Sequence, residues 1–132
     1  MTHDPENFQQ FTADYATSWS SGSAEEVASH FAPDGQISIN RGEPIVGQNA
    51  ISEMVRGFKT DFPDLALRCD YHRLAGDHAI FVWTLEGHHI ETKNSVKIGG
   101  WEEWTLDDNL KIATSLGWFN AKEYDRQVAE GA

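Results

Sequence analysis

The sequence predicts an α+β domain in which helices gather on one face of a mostly antiparallel sheet. Three observations predict it. Apolar residues recur at helical spacing in three segments before Pro63. After Leu65 no helical period survives until the tail, and alternating strands joined by short turns take over. The stretch from Gly99 to Asn120, which holds three of the five tryptophans, reads as two strands joined by the polar turn Asp107-Asp108-Asn109.

The first helix carries Phe8, Phe11, Tyr15 and Trp19 on one face and ends at Ser20-Ser21-Gly22. Ser23 with Glu26 has the form of a capping box, so a second, shorter helix follows with Ala24, Val27, Ala28 and Phe31 inward. Pro33-Asp34-Gly35 then predicts a turn, Gln36 to Asn40 a short strand, and Arg41-Gly42-Glu43-Pro44 its end. A third helix from near Gly47 aligns Ile51, Met54, Val55, Phe58 and Phe62, and Pro63-Asp64 stops it. Leu65 to Leu74 alternates as a half-solvated strand with Leu65, Leu67, Cys69 and Tyr71 on one face. Ala79 to about Ile90 is apolar on both faces, which predicts a place at the middle of the sheet. Asn120 followed by Glu123 caps a last helix, Ala121 to Val128.

With 132 residues, 39% of them hydrophobic, a single domain over residues 1–132 is expected. A net charge of −11 repels phosphate backbones and anionic headgroups, which argues against nucleic-acid and membrane partners. Cys69 is alone, so neither an internal disulfide nor a cysteine-built metal site is possible. The opening Met-Thr-His-Asp-Pro-Glu has no basic start or apolar run, and no window nears the roughly 18 apolar residues a membrane helix needs. A cytoplasmic location is expected.

Glu102 is the leading candidate for chemistry. Successive strand residues face opposite ways, so of Glu102 and Glu103 one points inward among Trp101 and Trp104. Burying an ionised carboxylate there is costly, so its pKa should rise toward the range useful for acid/base work. A shift of register by one would exchange the two glutamates. Tyr15 is either a donor to a ligand or a packing residue of its helix face. His88 and His89 lie near Glu86 and Glu91, but adjacent histidines on a strand diverge, so no metal site is expected. A bent sheet closing over the first helix would leave an apolar pocket for a small hydrophobic molecule.

The leading aromatic helix, the Gly22-Ser23 turn, Phe31-Ala32-Pro33-Asp34-Gly35, Gly47 before an amphipathic helix, Gly87-His88-His89 and the closing strand pair resemble a SnoaL-like domain. That family belongs to the nuclear transport factor 2-like superfamily of cystatin-like fold. The resemblance implies a cone-shaped roll, three N-terminal helices wrapped by a strongly curved sheet, usually dimeric through the sheet, with a deep apolar pocket and no cofactor. It also implies relatives among polyketide cyclases, ketosteroid isomerases, dehydratases, epoxide hydrolases and proteins that only bind. Isomerase-type members hold a substrate carbonyl with a tyrosine and a protonated carboxylic acid. Tyr15 and Glu102 fall at those positions, and Ile39 stands where the base would be. Cyclase-type members imply His89 as a pocket residue, with Asn120 where an aspartate would be. The resulting expectation is Glu102, Tyr15 and His89 as catalytic groups. Trp19, Ile39, Met54, Phe58, Trp83, Trp104, Trp118 and Asn120 are expected to form the lining. The substrate would be a small hydrophobic carbonyl compound. The alternative is a homodimer that binds a ligand, or serves structure, without turnover.

Overall fold

The computed structural model describes residues 3–132; Met1 and Thr2, the start of the stretch read for a leader, lie outside the described residues. Helix α1 (Pro5–Ser21) starts where the Asp4 side chain accepts the Glu6 and Asn7 amides, with Pro5 supplying a preset φ. The capping box at Ser23 opens α2 (Ala24–Ala28). Then come β1 (Phe31–Ile39), β2 (Ile45–Val46), α3 (Gln48–Asp61), β3 (Ala66–Ala75), β4 (His78–His88), β5 (Ser95–Leu106), β6 (Ile112–Phe119) and α4 (Ala121–Glu130).

The strands form one curved sheet in the order β2-β1-β6-β5-β4-β3, antiparallel except for the β1–β6 pair. The helices cover its inner face. Phe8, Phe11 and Tyr15 of α1 pack against Phe81 and Trp104, whose rings stack at 5.1 Å, and together they form the buried aromatic end of the cone. Among the described residues, no helix is long and apolar enough to cross a membrane.

Four details differ from the sequence reading. Pro33-Asp34-Gly35 does not break the chain; β1 runs through it, and its pairing with β6 shifts between Phe31 and Gln36. Gly35 permits this, because a Cβ there would stand 2.6 Å from the Ile112 carbonyl oxygen. The register of β3 against β4 shifts between Cys69 and Tyr71, so Tyr71 turns outward, 52% exposed, and His72 packs on Phe8 instead. Strand β4 lies one place from the edge rather than at the middle, and its outer residues Ile80 and Val82 are only half-buried. The two-residue β2 is too short to carry a pattern.

Candidate functional site

The other end of the cone is not filled. Every layer contributes to a cavity there: Trp19 from α1, Ile37 and Ile39 from β1, Met54 and Phe58 from α3, and Leu67 from β3. Trp83 and Leu85 of β4, Ile98 and Glu102 of β5, Gly117 to Phe119 of β6 and Tyr124 of α4 complete the wall. The free space for the centres of water-sized groups is about 60 Å³. That is well above the roughly 10–15 Å³ that a single water needs.

Among the described residues, Glu102 is the one carboxyl in this wall. The β5 alternation turns Gly100, Glu102 and Trp104 inward and Trp101, Glu103 and Thr105 outward, so Glu102 is 6% exposed. Glu103 lies outside, where it accepts the Trp101 indole N–H. Three donors converge on Glu102. Its Oε1 accepts from Ser115 Oγ at 2.8 Å and from Trp104 Nε1 at 2.9 Å. The Tyr15 hydroxyl lies 3.2 Å from Oε1 and 3.1 Å from Oε2. Oε1 is thus saturated, whereas Oε2 has only the shared phenol and keeps room for a proton.

Burial raises the Glu102 pKa above its ordinary value, and the hydrogen bonds from Trp104, Ser115 and Tyr15 act against that rise. Tyr15 is also pushed well above the usual phenol range, by burial first and then by the neighbouring Glu102 charge. The Trp19 indole, which acts in the opposite sense on Tyr15, has a buried N–H that closes no hydrogen bond. Tyr15 therefore stays a neutral donor, and the proton that can come and go at this site is the one on Glu102.

The positions read from sequence divide clearly. Trp19, Ile39, Met54, Phe58 and Trp83 line the cavity together with Glu102. Tyr15 and Trp104 lie behind Glu102, in the packed end, and reach the cavity only through it. Trp118 borders the cavity, yet its ring stacks on Trp101 of the outer face at 6.4 Å, because alternation turns it opposite to Gly117 and Phe119. His89 lies beyond the end of β4, packs edge-on against Phe62, and accepts the Glu91 and Thr92 amides with Nδ1, so it does not line the cavity. His88 pairs with Asp64 at 2.6 Å on the surface. Asn120 caps α4 through Glu123 N at 3.0 Å and does not line the cavity either. Among the described residues, no group of three or more metal-ligating side chains gathers.

Sequence reasoning missed Ser115 and Tyr124. Ser115 carried a usable signal, a polar residue on the inward side of β6 opposite Trp104, fully buried. Tyr124 carried none, since its entry into the wall depends on how α4 folds back over the cone mouth against Phe119 and Phe62.

The SnoaL-like domain family model matches residues 12–114. No curated protein matches the chain. Among solved structures, the chain is similar to a protein of ketosteroid isomerase-like fold from Catenulispora acidiphila, solved with trimethylamine. Identity to it is 16%, the TM-score is 0.83, and 96% of this chain and 95% of that one are covered. A candidate SnoaL-like polyketide cyclase from a Jannaschia species matches at 10% identity and a TM-score of 0.83, over 100% and 99% of the two chains. The epoxide hydrolase/cyclase-like enzyme SalBIII of salinomycin pyran-ring formation matches at 16% and 0.79, over 91% and 95%. At these identities the likeness concerns the fold.

Proposed function

We propose that this chain, which belongs to the SnoaL-like domain family, binds a small apolar carbonyl compound in its cone and moves a proton on it with Glu102. The observation that carries the reading is one buried carboxyl, held by Tyr15, Trp104 and Ser115, at the edge of an otherwise apolar cavity. Ionised Glu102 takes a proton on Oε2 from the carbon beside the substrate carbonyl, leaving an enolate. The same carboxyl, now neutral, returns the proton to that carbon or to the next position of a conjugated system, which is isomerisation. A raised pKa suits both halves, since the group is a stronger base when ionised and holds the proton to a higher pH than an exposed carboxyl does. The three donors fix the carboxyl so that little reorganisation is needed.

The test is exchange of α-protons for deuterium in heavy water, followed by NMR on a panel of small cyclic ketones. The protein is expected to accelerate exchange, and Glu102→Gln is expected to abolish the acceleration, by at least about a hundredfold, while retaining fold and binding. Exchange that persists in Glu102→Gln would remove Glu102 from the mechanism. A second reading, ligand binding without turnover, is favoured by one observation: beside Glu102, only Tyr124 among the described wall residues can titrate. Binding with no exchange in the intact protein would establish it.

We further propose that two copies associate through the outer sheet face. Trp101 and Leu116 there are 41% and 40% exposed beside the half-buried Ile80 and Val82, an apolar area that a partner would cover.

A further inference from the structure

Trp83 occupies the space that an ordinary residue at position 100 would need. It points inward from β4, with Gly100 directly across on β5 and Phe119 next in the same row on β6. A Cβ at Gly100 would stand 2.4 Å from Cζ2 and 2.7 Å from Cη2 of the indole, well inside the roughly 3.5–4.0 Å of a normal carbon contact. The ring therefore lies across β5 instead of standing up from β4, and it meets Phe119 at 6.2 Å. The adjoining row on one side is Phe81, Glu102 and Gly117, and on the other it is Leu85 and Ile98. Trp83 and Phe119 form a shelf between the carboxyl and the Leu85–Ile98 part of the wall.

We infer that this shelf sets the size of the substrate, confining it to single-ring carbonyl compounds and excluding fused polycyclic ones. The inference rests on the reading of the cavity as the substrate site and names its substrate class. A cyclohexane-sized ring lies flat on the indole face with its oxygen toward Glu102 and uses most of the free space of about 60 Å³. A second fused ring meets the shelf edge. Gly100 is the residue that makes the shelf possible. A side chain there would push the indole into the cavity and would also stand 2.4 Å from the Trp118 carbonyl oxygen.

The experiment measures dissociation constants by ligand-observed NMR for cyclohexenone, tetralone and a tetracyclic keto steroid. The intact protein is compared with Trp83→Phe and Trp83→Leu, and circular dichroism and melting curves report folding. The intact protein is expected to prefer cyclohexenone over tetralone by at least about tenfold and to leave the steroid unbound. Trp83→Phe, the conservative variant, is expected to narrow that gap and Trp83→Leu to reverse it. Equal binding of steroid and cyclohexenone by the intact protein would overturn the inference. So would an unchanged ranking in the folded variants, or no binding of any probe by any form. Binding requires no proton transfer, so Glu102→Gln is expected to keep the same size ranking after exchange is lost. The size rule and the catalytic reading can thus fail separately.

Discussion

The two halves of the cone are built from the same kinds of residue and differ in how they are filled. At the closed end Phe8, Phe11, Tyr15, Phe81 and Trp104 interlock with edge-on and stacked contacts and are buried. At the open end Trp19, Phe58, Trp83 and Phe119 touch each other only at their margins and line a void. Glu102 marks the boundary, held by donors from the packed side and itself part of the cavity wall. Aromatic content alone therefore does not distinguish core from site; the position of the one carboxyl does.

The contrast can be broken by truncating one ring on each side. Trp104→Ala is expected to cost about 3–5 kcal/mol in chemical denaturation, because it empties part of the closed end and removes one of the three donors to Glu102. Trp83→Leu is expected to cost roughly half of that or less, since the ring already borders free space. Similar losses at both positions would erase the distinction between the halves.

Tyr15→Phe tests the boundary itself. Losing the hydroxyl removes a buried donor from Glu102 and is expected to destabilise the protein by about 1–3 kcal/mol. It should also raise the Glu102 pKa further, because one of the hydrogen bonds opposing that rise is gone. The pH dependence of stability follows from the same group. Its folded-state pKa is raised, so its stabilising contribution is complete below the unfolded value of 4.5 and is lost as pH rises through the folded value. Glu102→Gln has no such loss. Its melting temperature is expected to gain on that of the intact protein as pH rises above 4.5, and a gap constant with pH would show that Glu102 titrates as an exposed group. The smallest effect belongs to the outer face: Trp101→Ala is expected to destabilise the single chain by about 0.5–1.5 kcal/mol, since the lost ring stacks on Trp118 but is 41% exposed. Light scattering is expected to show that it weakens association, and an unaltered assembly would place the second copy elsewhere.

Much of this was legible because strand alternation is strict wherever pairing is regular. Along β5, regular pairing with β4 extends from Ser95 to Thr105, and the inward choice of Glu102 over Glu103 follows from it. Helical spacing was equally informative for Phe8, Phe11, Tyr15 and Trp19, all of them buried. Alternation failed where a bulge inserts a residue. Asp70 sits in the register shift of β3, and every inward assignment after it exchanges, so Tyr71 was assigned to the face that His72 occupies. Proline and glycine misled at Pro33 and Gly35, since a strand beside a parallel neighbour can absorb both in a shifted register. Family positions place His89 and Asn120 in the site. Their local roles, a turn acceptor and a helix cap, hold them outside it. Of these, the Asn120 cap was readable from Glu123 three residues on.

The most direct measurement is the titration of the Glu102 carboxyl itself, followed by NMR of protein labelled with ¹³C at glutamate side chains and assigned through Glu102→Gln. The account predicts that the Glu102 resonance titrates with a midpoint above 4.5, displaced further upward in Tyr15→Phe. A midpoint at or below that value, unmoved by the loss of the tyrosine hydroxyl, would contradict it.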